Sequence, residues 1–375
     1  MADRSVGVEE ELLLVDPASG QARAVAGAVM EASGGPAASP AETAGPESPS
    51  EELEFELQLE QLETGTRPCG SLEELGREVR RCRSVAAEAA ARVGVQVAAM
   101  GTSPMAVEPS LTELSRYRQM AAEFGLTAQE QLTCGCHVHV QVASDEEGTA
   151  VLDRIRPWLA PLLALSTNSP FWQGRDSGYA SFRYQAWGRW PASGPTGLFG
   201  SARAYHGVVQ AMVDTGTILD EGMIYFDARL SRHYPTIEIR VADVCLHADD
   251  AVLISALVRA LVETAARAWQ AGNPASPVRT ELLRLAAWRA SRSGLGGQLA
   301  DPVTNRPAAA RAVARQLLEH ARPALTDAGE FAVVEDLLAQ LLTRGTGAEL
   351  QRRAYGQAGE IRDVVRDAAA RTSAG

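Results

Sequence analysis

The sequence predicts an α+β chain, and two observations carry that expectation. Short runs with strand-like alternation fill the first two-thirds and end near residue 243. From residue 248 onward the apolar residues recur at helical spacing instead. A third observation marks the centre of the strand region. Thr133-Cys134-Gly135-Cys136-His137-Val138-His139-Val140-Gln141-Val142 sets two histidines two residues apart in a valine-rich run. On a strand His137 and His139 share one face, with Val138 and Val140 on the other. Two imidazoles on one sheet face suit a metal or a phosphate. Cys134 and Cys136 beside His137 raise zinc, but CxC lacks the CxxC spacing and no second cysteine pair accompanies it.

Residues 5 to 15, SVGVEEELLLV, read as the first strand, followed by a turn at Asp16-Pro17-Ala18-Ser19-Gly20. Glu9 and Glu11 share one face and Glu10 takes the other. The flanks, Val6, Val8 and Leu12 to Val15, are apolar on both faces. Two carboxylates on a buried face repel unless a cation neutralises them, and a divalent metal is one solution. The alternative is a solvated acidic edge strand. Residues 33 to 50, rich in Pro, Gly, Ser and Ala, read as a mobile surface loop. Residues 51 to 66, EELEFELQLEQLETGT, are ambiguous. Their Glu and Leu content favours a helix, while the alternation of Leu53, Phe55, Leu57 and Leu59 favours a strand. Glu56 and Glu63 lie seven apart, which is one face of a helix but opposite faces of a regular strand. A bulge would bring both inward, and on pattern alone ordinary surface charge is the simpler reading.

Ser71 to Val93 has a helix pattern with Ser71 as cap and Glu74 at the capping-box position. Val95 to Met100 reads as a strand, and residues 111 to 124 hold the cluster Arg116-Tyr117-Arg118. Asp145 to Ser166 reads as one amphipathic helix. Residues 171 to 200 form a long segment rich in Trp, Tyr and Phe, a texture more common in functional loops than in connectors, although it could also pack on the core. Arg183 stands among these aromatics as a candidate for a carboxylate or phosphate. Met223 to Arg229 and Thr236 to Asp243 read as paired strands, with Glu238 and Arg240 on one face of the second. A plain salt bridge would also explain that pair. The helical last third reads as four or five helices with breaks near Asn273, Gly294 to Arg306 and Thr343 to Gly347. It carries no ligand constellation.

The 375 residues are ample for a core, and 46% hydrophobic against 22% charged is globular. A net charge of −12 disfavours nucleic acid as a partner, while a local arginine cluster still suits an anionic small molecule. No apolar stretch reaches the roughly 18 to 20 residues of a membrane helix, and Met-Ala-Asp-Arg-Ser lacks the apolar core of a signal peptide. Five scattered cysteines read as reduced thiols, so a cytoplasmic protein is expected. Acidic groups, imidazole and arginines spread over predicted strands make a kit for Mg·ATP chemistry.

At these residues the chain resembles the type 2 glutamate–cysteine ligases, ATP-dependent carboxylate–amine ligases of the YbdK-like kind. The matching stretches are GVEEELLLVD (7 to 16), ELQLEQLETGTRPCGSLEEL (56 to 75), GCHVHVQV (135 to 142), SFRYQAWGRWPASGP (181 to 195) and FDARLSRHYPTIEIRVAD (226 to 243). The resemblance covers residues 5 to 245, and the helical part 248 to 375 also fits a single domain. It implies a glutamine-synthetase-like catalytic fold, a curved, mainly antiparallel sheet forming a funnel with helices outside. It implies ATP and two or three Mg2+ ions as cofactors, with Glu9, Glu11, Glu56, Glu63, His137 and Glu238 as metal ligands. It resolves residues 51 to 66 toward a bulged strand. His139 becomes a polar neighbour facing nucleotide or substrate. Arg240 and Arg229 are aimed at phosphate, and Arg183 at phosphate or the substrate's other carboxylate. The family usually has glycine where Gln141 stands here, and the extra Glu54 and Glu60 leave the local register open.

The activity so implied activates a glutamate γ-carboxylate as an acyl phosphate and joins it to cysteine or another amine, releasing ADP and phosphate. The partners are small molecules, with a homodimer as a further implication. Two other readings stay open at this level. One keeps the fold and Mg·ATP but transfers phosphoryl to a guanidino-type acceptor. The other is a regulator that binds nucleotide or metal without turnover.

Overall fold

The computed structural model describes residues 4–34 and 53–374. The loop expected at 33 to 50 lies outside the described residues from position 35 on. Ser33 ends helix α1 (Ala26–Ser33), and Gly34, at φ 90°, supplies the left-handed cap that closes it.

The fold is the α+β arrangement expected. Its main sheet has seven strands: β1 (Val6–Val15), β2 (Glu54–Phe55), β3 (Gln61–Gly65), β4 (Gln96–Ala98), β5 (Gly135–Gln141), β6 (Ala228–Leu230) and β7 (Thr236–Asp243). The order is β2-β3-β1-β5-β7-β6, with β4 on the far end of β1, and every pairing is antiparallel. At ten residues β1 is long enough to hold β5 along Val6–Glu10 and β4 along Leu13–Val15 on the same edge. One sheet face carries Val6, Val8, Val138, Val140, Ile237 and Ile239 into the larger core. Helices α2 (Leu72–Arg92), α4 (Asp145–Ile155) and α7 (Ala248–Gln270) cover it, while helix α3 (Ser115–Phe124) borders the cavity on the opposite face with Tyr117 and Met120. Leu12 to Val15 join a second core with Val97, Met100 and the last helix.

Of the stretch 51 to 66, the described residues 53 to 66 form neither a helix nor one bulged strand. Within the described part, β2 and β3 are a hairpin, pairing Glu54 with Glu63 and Phe55 with Leu62. The turn reverses the chain, so Glu56 and Glu63 reach the same side without a bulge. A bulge does occur in β7. Cys136 faces Ala242 but Val138 faces Ile239, so Arg240 and Val241 together stand opposite His137. The extra residue inverts the alternation beyond it. Asp243, opposite Gly135, thereby joins the face of Glu238.

Ser71 caps α2 by accepting from Glu74 N–H at 3.2 Å, while the Glu74 carboxylate accepts from Gly70 N–H, one residue earlier than a standard capping box. The helix expected over Asp145 to Ser166 is two. Pro157 forces a tight turn at Arg156–Trp158 between α4 and α5 (Leu159–Ser166), and α5 is buried all round, not amphipathic. The aromatic segment folds into a two-stranded hairpin (Phe171–Trp172 with Arg175–Asp176) and helix α6 (Phe182–Trp187). The strand expected at Met223 to Arg229 is only β6, because Asp220 caps a tight turn at Glu221–Met223 just before it. The last third holds six helices where four or five were expected. They are α7, α8 (Thr280–Ser293), α9 (Ala310–Asp327), α10 (Phe331–Arg344), α11 (Gly347–Ala358) and α12 (Ile361–Ala374). The unread breaks fall at Gly329 and Gly359, both with positive φ. No helix among the described residues is long and apolar enough to cross a membrane. All five cysteines are buried and none is in a disulfide; Cys134 and Cys136 pack in the cores, away from the histidines.

Candidate active site

The sheet face opposite the main helices borders a cavity of about 300 Å³. Register builds it. Glu9 lies beside His137, Glu11 beside Glu63, and His139 beside Glu238, which in turn lies beside Arg229. Five strands, β1, β3, β5, β6 and β7, thus deliver their polar residues to one surface. Glu9, Glu11, Glu56, Glu63, His137, His139, Glu238, Arg229 and Arg240 all line the cavity. Opposite them stand Tyr117 and Met120 from α3, with Trp187, Trp190 and Tyr225.

Two sets of ligand atoms are close enough to hold a metal ion: Glu9, Glu63 and His137, and Glu9, His139 and Glu238. Within each set the atoms lie within 4.8 Å of one another, and Glu9 belongs to both. One Glu9 oxygen is 3.5 Å from His137 Nδ1 and the other 3.2 Å from His139 Nε2. No cysteine enters either set, so zinc of the cysteine type finds no support here. His139, expected only as a neighbour, is placed as well for a metal as His137 is. His139 Nδ1 lies 3.1 Å from Thr236 Oγ1, which fixes the ring with Nε2 toward Glu9.

The protonation states follow from burial and neighbours. Burial and the charge of Arg240 push His137 down to about 4, leaving a neutral imidazole able to donate a lone pair. Burial would raise Glu9, but His139 and His137 hold it well below the ordinary carboxylate range. Burial likewise opposes Glu238, yet Arg240 and Arg229 keep it ionised. Glu11 is different. Burial and the Glu56 charge push it up to about 7, against Arg183 and the Gly135 N–H that donates to it at 2.5 Å. Burial with Glu9, Glu56 and Glu11 raises Glu63 well above its usual value. Glu11 and Glu63 are thus biased toward the protonated form, while Glu9 and Glu238 stay ionised.

That charge pattern fits a hard divalent ion. Each set offers two carboxylates and one imidazole, leaving further positions for water or phosphate oxygens. His137 Nε2 is buried without a hydrogen-bond partner among the described residues. Arg229 Nε donates to Glu238 at 2.6 Å, and Arg240 Nη1 also donates to Glu238. The Glu238–Arg240 salt bridge weighed from the sequence therefore exists, but buried and not on a wet face.

Arg183 does not line the cavity. Only 1% exposed, it lies against Gly135, on the side of the sheet that carries His137 and His139. A Cβ on Gly135 would come within 2.2 Å of Arg183 Nη2, so any larger residue there must displace the guanidinium. Asp243, given no role in the sequence reading, anchors this region. It accepts from Asn168 N–H at 2.8 Å and from the Ser169 and Ser181 hydroxyls at 2.7 Å. A bulge hid it, since strict alternation assigns it to the other face. Glu10 points away from the cavity into a buried pair with Arg83, at 2.6 and 2.8 Å. That partner was legible as a charge on the apolar side of α2, beside Val79, Cys82 and Ala86.

The family model described as glutamate–cysteine ligase family 2 matches residues 5–367. A Streptomyces avermitilis protein provisionally named glutamate–cysteine ligase 2-1 is 53% identical over 98% of this chain and 99% of its own. One from Streptomyces coelicolor, provisionally named glutamate–cysteine ligase 2, is 52% identical over 99% of each. Among solved structures, the glutamate–cysteine ligase of Francisella tularensis in complex with AMP superposes with a TM-score of 0.70 at 13% identity, over 100% of this chain and 89% of its own. A bifunctional glutathione synthetase from Pasteurella multocida gives 0.69 at 15% identity, over 99% of this chain and 52% of its own. These last two establish the fold alone. With a family match over nearly the whole chain and relatives above half identity, this chain belongs to glutamate–cysteine ligase family 2.

Proposed function

We propose that the protein is an ATP-dependent carboxylate–amine ligase of the glutamate–cysteine ligase type. The observation that carries this reading is Glu9 shared between two candidate metal sets on the wall of one cavity that Arg229 and Arg240 also line. Adjacent sites bridged by a carboxylate suit the paired ions of phosphoryl transfer.

A carboxylate and an amine do not condense unaided at neutral pH, because the carboxylate lacks a leaving group. Transfer of the γ-phosphoryl of ATP to a glutamate γ-carboxylate oxygen breaks the terminal P–O bond and releases ADP. The amine nitrogen then attacks the acyl carbon, the C–O bond to phosphate breaks, and an amide remains after loss of a proton. Glu9, Glu63 and His137 would hold one magnesium ion and Glu9, His139 and Glu238 another, with Glu11 and Glu56 beside them. Bound there, magnesium neutralises phosphate oxygens and lowers the charge barrier to attack. Arg240 and Arg229 face the same space and stabilise the transferring phosphoryl group. Trp187, Trp190, Tyr117 and Tyr225 line the opposite wall with apolar surface, which limits water near the acyl phosphate.

The test is an ADP-release screen with Mg·ATP, glutamate and a panel of amines that includes cysteine. Glu9→Gln should lower turnover by more than about a hundredfold, since it removes a ligand common to both ions. Full activity in Glu9→Gln, Glu63→Gln and His137→Ala together would overturn the assignment. A stable phosphorylated product in place of an amide would point to a phosphotransferase instead.

A further inference from the structure

The arginine beside the metal cluster is held in an unusual way. Arg240 is buried, and its Nη1 donates to Glu238 and lies 3.5 Å from His137 Nδ1. Its Nε is buried without an acceptor among the described residues. Polar contacts therefore secure only one edge of the guanidinium. The rest meets aromatic rings: its Cζ lies 5.7 Å from the Trp187 centroid and 6.0 Å from that of Tyr225. Trp187 holds a second cation too. Arg183, one turn earlier on α6, has its Cζ 5.8 Å from the same ring, and its own Nε also lacks a partner among the described residues. Arg183 in turn donates only long bonds, 3.4 and 3.5 Å, to the Arg240 carbonyl. Trp187 and Tyr225 brace each other edge-on at 5.0 Å.

We infer that Trp187 is a positioning residue: its π face, shared by Arg183 and Arg240, fixes the Arg240 guanidinium toward the cavity. The inference rests on the proposed role of Arg240 at phosphate. A guanidinium anchored at one edge can swing about its Cδ–Nε bond, and a ring quadrupole over its face removes that freedom without neutralising its charge. A second carboxylate there, beside Glu238, would hold Arg240 as firmly but would further offset the charge that phosphate needs. The family of aromatic residues in the 171 to 200 segment gains a specific task from this, beyond closing the cavity.

The test uses the full chain, magnesium, and a non-hydrolysable ATP analogue with a β,γ-imido bridge. Binding is measured by calorimetry for the unsubstituted protein, Trp187→Phe and Trp187→Leu. Trp187→Leu should weaken Mg·analogue binding by roughly threefold to thirtyfold, the range of a desolvated cation–π contact. Magnesium alone should bind all three alike, since Trp187 is in neither metal set. Trp187→Phe, which keeps a π face, should recover most of the loss. Equal weakening in Phe and Leu variants, or none in Leu, would overturn the inference. If Trp187→Leu does not fold, Trp187→Tyr and Trp187→Met make the same comparison. Because the readout is binding, the absence of amide formation with every amine would sink the ligase reading while leaving this result interpretable.

Discussion

At the scale of single residues, the sheet sorts three consecutive glutamates into two unlike environments. Glu9 and Glu11 face the cavity, and Glu10 is locked to Arg83 on the opposite face. Arg83 also donates to the Cys245 and Leu246 carbonyls. Arg83→Met leaves Glu10 buried without its cation and should cost about 3–5 kcal/mol in urea unfolding. Pairing it with Glu10→Leu should return much of that loss, since two apolar side chains then replace the ion pair. A double variant no more stable than the single one would contradict this. The cavity glutamates bring a pH dependence. In the metal-free protein Glu11 is raised to about 7 and Glu63 is raised as well. The folded state therefore keeps protons that the unfolded chain loses above the ordinary carboxylate range. This contribution to stability is fully present below about pH 4.5 and is lost as pH rises through about 7. Magnesium needs those oxygens ionised, so its affinity should rise across the same window with release of protons. Calorimetric titration at about pH 5.5 and about pH 7.5 checks this. Equal affinity at both would count against these carboxylates as ligands.

At the scale of elements, the alternating strands were legible because period-2 patterning is local. His137 with His139, Glu9 with Glu11, and Glu238 with Arg240 all fall on the faces that alternation assigns. Features set by tertiary pairing were not legible. The hairpin that unites Glu56 with Glu63 depends on a turn between residues that read equally well as helix. The β7 bulge that turns Asp243 inward leaves no mark in composition. Pro157 was a readable break, yet the apolar run across it masked the change from a half-exposed to a fully buried helix. Arg183 entered as a substrate arginine from its place among aromatics and again by resemblance, and the structure places it against Gly135 instead of on the cavity wall. That packing gives a sharp test. Gly135→Ala sets a methyl group into Arg183 Nη2, and both lie next to Glu11. It should reduce ADP release by about tenfold or more while the thermal midpoint falls by only a few degrees, as expected for a ~1 kcal/mol overpacking cost. Unchanged activity would show that the Arg183–Gly135 contact does not support the site.

At the scale of the whole molecule, the helical last third is the scaffold that the sequence indicated, but it is tied to the site region by specific bonds. Asn168 donates to the Ala99 and Val244 carbonyls at 2.8 Å, and Gln351 of α11 donates to the Asn168 backbone and side-chain oxygens. Asn168 thus joins β4, the end of β7 and α11, directly behind the Asp243 anchor. Asn168→Ala removes bonds to buried carbonyls and should destabilise the fold by about 2–4 kcal/mol, read by denaturant unfolding. A loss below about 0.5 kcal/mol would show that the junction is dispensable. Across the acidic molecule, four arginines, Arg116, Arg229, Arg232 and Arg240, border the cavity together with Glu9, Glu11, Glu56, Glu63 and Glu238. The central claim is that this cavity activates a carboxylate by phosphorylation before an amine attacks. The most direct measurement supplies glutamate labelled with 18O in its γ-carboxylate, together with Mg·ATP and an accepted amine, and analyses the released phosphate by mass spectrometry. Acyl phosphate formation requires one labelled oxygen in each phosphate released, and unlabelled phosphate alongside amide product would contradict the account.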